Sequence, residues 1–271
     1  MTSDANKLAV VVVDGLRYDA ARLHCGWLEG MVEQGLAIRG LVGASLPTTS
    51  RPCYATLLTG KQVAEHGISS NDTVRKPVGR TLFDIVRANG GQVAVAGFYF
   101  YFELAYGRSY DPIAHCEWED PEGPVTWGRF YHEEDMPDKE VAWRALRLAE
   151  RNGPELLWIH LNALDDVGHK YGGMSREYTA HLHQVDSIIA EVASFLLPEY
   201  TMYVTGDHGM GDEGLHRGVG DAVRSTPVYL LGSPSAASDE RGEYREDVLL
   251  PQWRLGQLLH AAALQKIPDS T

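Results

Sequence analysis

Apolar positions recur in two rhythms along the 271-residue chain. Residues 8–13, 37–42, 92–98, 155–161, 201–205 and 227–231 are short, nearly continuous apolar runs rich in β-branched side chains. Such runs mark strands buried on both faces. Between them lie stretches with helical spacing at 17–34, 81–89, 138–152, 175–197 and 252–264. Gly90-Gly91, Gly153-Pro154 and Pro198 follow three of these stretches as stop signals. The alternation predicts an α/β fold, a mostly parallel central sheet with helices on both faces. Residues 99–137 break the rhythm with aromatics, prolines, glycines and acids in no clear period. They are expected to form an irregular insertion, either a surface excursion or a lid over a pocket. With no repeat and no interdomain linker, residues 1–271 are expected to be a single domain carrying that insertion.

Composition narrows the partners more than the fold. A formal net charge of −13 disfavours a nucleic-acid polymer, whose binding rests on clustered Lys and Arg. A small phosphorylated substrate remains compatible, because bound cations reverse the field locally. Cys25, Cys53 and Cys116 show no metal-knuckle spacing and are expected to be free thiols of a reducing compartment. The first fifteen residues have an apolar run broken by Asp14, without a basic start or a cleavage pattern. No apolar run approaches the roughly 20 residues that span a bilayer. The chain is therefore expected to be cytoplasmic and without a membrane partner; its oligomeric state is not readable.

In an open parallel sheet, ligands bind at the carboxyl ends of the strands. Asp14 directly follows the run at 8–13, and Ser50 comes shortly after 37–42. Asp165 and His169 follow 155–161; Asp207 and His208 follow 201–205, with His216 beyond. Three Asp, three His and a Ser thus converge on one sheet edge. Asp and His are ligands for zinc and related divalent cations. Two such ions about 3.5–4 Å apart can clamp the attacking and leaving oxygens of a phosphoryl displacement. Singly, each residue also has a plain structural reading. Asp14 would serve as a helix N-cap. The Gly in Asp165-Asp-Val-Gly-His169 suggests a sharp turn aiming both ends at one place. Ser50, just before Arg51-Pro52, is a good N-cap for a following helix. That geometry would also present helix N–H groups to a phosphate beside a hydroxyl activated by a cation. Thr48 and Thr49 compete for the nucleophile's role.

The ordered set is recognisable: Asp14, Ser50-x-Pro with Leu-Leu-Thr59-Gly60, His66-Gly-Ile-x-x-Asn71, Asp165-x-x-Gly-His169, Asp207-His208-Gly-Met, then His216. It resembles the alkaline phosphatase superfamily, and within it the nucleotide pyrophosphatase/phosphodiesterase branch, over about residues 10–231. The resemblance implies that Asp14, Asp207 and His208 bind one zinc shared with the nucleophile, and that Asp165, His169 and His216 bind the other. Manganese is the alternative metal. Ser50 holds the place where the branch usually has a threonine nucleophile, and Asn71 would hydrogen-bond a non-bridging phosphate oxygen. His66, in the same motif, is expected to be structural; His181 and His183 receive no role. Tyr54 stands where a sulfatase signature expects Arg, which counts against a sulfatase-like enzyme.

The implied activity is a two-metal hydrolase cleaving phosphodiester or pyrophosphate bonds of a small molecule or nucleotide through a phosphoserine. A phosphomonoesterase is the alternative. A phosphomutase or phosphotransferase fits less well, because residues 99–137 are few for a cap domain, and a degenerate binding module fits least. Ester preference turns on Arg51. Pointing outward it is a surface residue; turned inward it makes the site monoesterase-like, since a dianion favours a bidentate cation. The aromatic run at 98–102, with Tyr99 and Tyr101, is either core or a stacking wall for a flat group.

Overall fold

The computed structural model describes residues 7–232 and 248–266. Among the described residues nine strands form one sheet: β1 (Lys7–Val13), β2 (Ala37–Gly43), β3 (Val93–Phe98), β4 (Glu117–Glu119), β5 (Trp127–Tyr131), β6 (Leu156–Leu161), β7 (Tyr200–Gly206), β8 (Ser225–Leu231) and β9 (Leu249–Pro251). Their order is β4-β5-β3-β6-β1-β7-β8-β2-β9. The central pairs β3–β6, β6–β1 and β1–β7 are parallel, and β3, β6 and β7 are buried along their whole length. This is the burial expected of continuous apolar strands covered on two faces. Only β4 and β8 run against the rest. The apolar run of β8 matches that of a parallel strand, so its reversal is invisible in composition.

The helices are α1 (Tyr18–His24), α2 (Gly26–Glu33), α3 (Ser50–Thr59), α4 (Val63–His66), α5 (Leu82–Ala88), α6 (Phe100–Tyr106), α7 (Asp138–Asn152), α8 (Ala163–Tyr171), α9 (Arg176–Leu196), α10 (Asp221–Arg224) and α11 (Gln252–Lys266). α1, α2, α7 and α9 pack as one group, and α3, α5 and α11 as another. The single helix expected at 17–34 is two. The break falls at Cys25, whose ψ of 74° leaves the helical region. Asp186, far along the chain on α9, accepts the N–H groups of Trp27 and Leu28 at 2.7 and 3.1 Å and so caps α2. Residues 99–137 are also more regular than expected. They hold α6 and two strands, and β5 extends the sheet by parallel pairing with β3 from Ala94↔Trp127 to Phe98↔Tyr131. These elements are too short to show a period.

α3 opens at the sheet's carboxyl edge, and every one of its residues is buried. A helix buried all round shows no amphipathic stripe. Against it α11 crosses closely: a Cβ on Gly256 would stand 2.8 Å from Gly60 Cα and from the carbonyl oxygens of Thr56 and Leu57. Because the obstacle is backbone, it cannot swing aside. Gly256→Ala is therefore expected to cost about 1–3 kcal/mol by overpacking. Thermal or urea denaturation checks this, and an unchanged midpoint would refute the close crossing.

Candidate metal centre and nucleophile

Because the central strands share one direction, their carboxyl ends deliver side chains to one edge. Asp14 follows β1, Ser50 opens α3 after β2, Asp165 and His169 lie on α8 after β6, and Asp207 and His208 follow β7. The structure brings them together with His216. Asp14, Asp207 and His208 present ligand atoms within 4.8 Å of one another, and so do Asp165, His208 and His216. The second group differs from the expected trio. His208 takes part in both groups, while His169 Nε2 lies 3.2 Å from Asp165 Oδ2 with its side chain 39% exposed. Asp165 and His169 do not flank a turn. They are four apart on a helix, hence on one face. Gly168 is needed because a Cβ there would meet the Met210 side chain at 2.8 Å. Gly15, at φ +70°, leaves room for Asp165, whose Oδ1 would lie 2.9 Å from a Cβ at that position.

All three histidines are oriented by the main chain. His208 Nδ1 lies 3.0 Å from the Gly209 carbonyl, His216 Nδ1 2.6 Å from that of Thr48, and His169 Nδ1 2.8 Å from that of Gly214. A carbonyl only accepts, so each Nδ1 carries a proton, and each Nε2 is the nitrogen that can ligate a cation once its own proton is released. His208 Nε2 points into the cluster, 3.4 Å from Asp14 Oδ1, 3.2 Å from Asp207 Oδ2 and 3.3 Å from Ser50 Oγ. The carboxylates are the odd feature. Asp14 Oδ1, Asp165 Oδ1 and Asp207 Oδ2 are buried without a hydrogen-bond partner. Burial, and then the charges of Asp14 and Asp165, push the Asp207 carboxyl well above its ordinary pKa. Burial acts the same way on Asp14, but hydrogen bonding from His160 and the charge of His208 outweigh it and hold Asp14 ionised. His169 is raised to about 9 by its hydrogen bond to Asp165. Buried carboxylates with orphaned oxygens and inward Nε2 atoms form the donor set of borderline divalent cations, and the residues fit two such ions.

Ser50 is not the N-cap expected. Thr49 occupies that position with ψ 147°, and Ser50 is the first helical residue, its hydroxyl free to face His208. Thr48 is committed, donating its hydroxyl to the His216 carbonyl at 2.5 Å. The helix end offers fewer N–H groups than expected: that of Arg51 goes to Asn71 Oδ1 at 3.0 Å, Pro52 has none, and that of Cys53 bonds Thr49. Asn71 is thereby oriented with its NH2 uncommitted, at a cavity of about 500 Å³ also lined by Leu46, Thr49, Ser70 and Arg217.

Arg51 does not point outward, and its guanidinium is taken up by other groups of the protein. It is 2% exposed, with its Nη2 2.5 Å from Glu103 Oε2, its guanidinium 3.9 Å over the Phe100 ring and its Nη1 3.3 Å from the Thr73 carbonyl. Tyr101 is fully buried and stacked on Tyr54 at 4.6 Å, so the expectation that it touches substrate is corrected: it is core. Tyr99 is half-buried, stacks on His132 at 4.8 Å and lines a separate acidic cleft with Glu134 and Asp166. His66 is structural, placed between Thr56 Oγ1 at 3.0 Å and the Ile68 N–H at 3.1 Å, and burial lowers its pKa to about 4. His181 meets Asp138 at 2.9 Å, away from the cluster.

Sequence reasoning missed several supports. Gln252 donates to the Asp207 carbonyl at 2.5 Å and accepts from the Ser45 N–H at 3.1 Å. Tyr54 donates to Asp14 Oδ2, and His160 and Tyr131 continue that chain. Burial, then the charges of Asp14 and Asp207, push the Tyr54 pKa well up, so it stays a donor. One signal was available: His160 is the lone polar residue in the otherwise apolar strand Leu-Leu-Trp-Ile-His-Leu.

Comparisons with known proteins bear on this geometry. A family model described as type I phosphodiesterase / nucleotide pyrophosphatase matches residues 8–221. Rat ectonucleotide pyrophosphatase/phosphodiesterase family member 7 is 26% identical over 222 residues, covering 76% of this chain and 50% of the relative. GPI ethanolamine phosphate transferase 2 of Aspergillus fumigatus is 26% identical over 247 residues, covering 84% and 30%. Murine ectonucleotide pyrophosphatase/phosphodiesterase 5 superposes with a TM-score of 0.58 at 18% identity, covering 76% of this chain and 57% of that one. That murine protein has also been solved as an inactive threonine-to-alanine variant in complex with AMP. The chain spans half or less of the length of these two curated relatives.

Proposed function

The chain belongs to the type I phosphodiesterase / nucleotide pyrophosphatase family, and from that premise we propose that it hydrolyses phosphodiester or pyrophosphate bonds of a small molecule or nucleotide. Ser50 is the nucleophile, and Asp14, Asp207 and His208, with Asp165, His169 and His216, would hold two divalent cations, zinc or manganese. The observation that carries this is the placement of Ser50 Oγ 3.3 Å from His208 Nε2, at the rim of a cluster whose three carboxylates each keep one oxygen without a partner. When bound, the cations would lower the pKa of the serine hydroxyl and offset negative charge on the phosphate oxygens. Ser50 Oγ attacks phosphorus, the bond to the leaving oxygen breaks, and a phosphoserine forms; water then cleaves it. Asn71 donates its uncommitted NH2 to a non-bridging oxygen, and the main-chain bonds of the three histidines hold the donor set in place.

The ester class follows from Arg51. A monoester dianion favours a second bidentate cation. The guanidinium nearest the nucleophile in sequence is already neutralised by Glu103, while Asn71 contributes no charge. That favours the single negative charge of a diester or an anhydride, and the AMP complex of the murine neighbour supports a nucleotide-type substrate. The test is a paired rate measurement on bis(4-nitrophenyl) phosphate and 4-nitrophenyl phosphate, with zinc or manganese added. A preference of at least about tenfold in kcat/KM for the diester is expected, about 1.4 kcal/mol of differential transition-state stabilisation. A monoester preference overturns the diester reading.

A further inference from the structure

We propose that Tyr54, His160 and Tyr131 are positioning residues that fix the orientation of Asp14, leaving one carboxylate oxygen for a cation. The inference rests on the proposed function, in which Asp14, Asp207 and His208 hold one of the two ions. Tyr54 Oη donates to Asp14 Oδ2. His160 Nε2 lies 2.8 Å from that same Oη and 3.3 Å from Asp14 Oδ2. Behind it, Tyr131 Oη is 3.0 Å from His160 Nδ1 and donates to the His160 carbonyl at 2.8 Å. Tyr54 and His160 are fully buried, Asp14 is 1% exposed and Tyr131 6%.

Counting protons assigns the roles. Tyr54 has one hydrogen and spends it on the carboxylate, so the contact between its oxygen and His160 requires the imidazole to donate from Nε2. Nδ1 and the His160 carbonyl then both face the Tyr131 hydroxyl and share its single hydrogen as acceptors. Asp14 Oδ2 is thus held from behind by a phenol and an imidazole, while Oδ1 has no partner and stands 3.4 Å from His208 Nε2. A carboxylate fixed at one oxygen cannot turn, so it offers a cation only the other. Tyr54 also sits four residues after Ser50 on α3, on the same helical face. One buried helix therefore carries both the nucleophile and the group that aims Asp14, which ties the position of Ser50 to that of the cation.

Calorimetric titration of the cation-free full chain with zinc chloride tests the proposal. The wild type is expected to bind two zinc ions. Tyr54→Phe, which removes one oxygen, is expected to weaken one of them by about 10–100-fold and leave the other unchanged. His160→Gln, which keeps an N–H near the Nε2 position, should retain more affinity than His160→Leu. A purely structural role would not move one site alone, nor separate Gln from Leu. A thermal melt of each cation-free variant confirms folding, and if Tyr54→Phe does not fold, the His160 pair decides. Wild-type affinity at both sites in folded Tyr54→Phe, or equal affinity in the His160 pair, overturns the positioning role. A wild-type chain that binds no zinc overturns the metal reading itself, and the inference with it.

Discussion

Ser50→Ala is expected to lower kcat for phosphodiester hydrolysis by about four orders of magnitude or more, as when an attacking side chain is removed outright. The change should leave the fold intact. Ser50 makes no capping bond, and Thr49 already holds the cap position. What is lost is the oxygen facing His208. Neither neighbour can replace it: the Thr48 hydroxyl is committed to the His216 carbonyl, and Thr49 lies outside the helix that aims the nucleophile. Ser50→Thr, which retains a hydroxyl, should recover much of the rate. Steady-state kinetics on an aryl diester, with a thermal melt as control, decide the matter. Undiminished turnover in Ser50→Ala would end the nucleophile assignment.

The second large effect is expected from removing divalent cations. Exhaustive chelation should abolish activity and lower the melting temperature, and added zinc or manganese should restore both. Saturation to 100 times Kd is worth about 2.7 kcal/mol of folding stability. The pH dependence gives a sharper signature. In the cation-free protein the Asp207 pKa is raised above its unfolded value of 3.8, and that of His169 is raised from 6.5 to about 9. A raised folded pKa means that the native state holds the proton more tightly. That stabilisation is complete below the unfolded value and is lost as pH rises through the folded one. The chelated protein should therefore lose stability on going from mildly acidic pH toward 9. With metal present the slope reverses, because binding requires these groups to be deprotonated. Melts across that range, with and without zinc, check both signs. Identical profiles would show that the carboxylate cluster binds no cation.

The centre of the sheet and the reactive side chains were legible for the same reason. A strand buried on two faces is mostly apolar and free of carboxylates, so Asp14 and Asp207 stand out as the first charges after the buried runs of β1 and β7. Where sequence reasoning went wrong, the determinant lay far along the chain or in packing. The carboxylate that splits α1 from α2 is Asp186, more than 150 residues away. Arg51 presented itself as a choice between solvent and substrate. Glu103 and Phe100, from a stretch without a period, gave it a third place. Gly168 suggested a turn, yet it is a helical residue lacking a side chain because Met210 needs the space. Asp165 and His169 converge all the same, since four residues along a helix return to one face as a turn would.

Gln252, the first residue of α11, bridges the carbonyl of Asp207 and the N–H of Ser45, and Gly256 on the same helix lies against the nucleophile's helix. Every candidate metal ligand precedes Gln252 in the sequence. During synthesis the ribosome therefore delivers the whole reactive set before the brace that joins its halves. A nascent chain halted before residue 252 would carry all the reactive groups and still lack their alignment, so hydrolytic competence should arise only after α11 has emerged and docked.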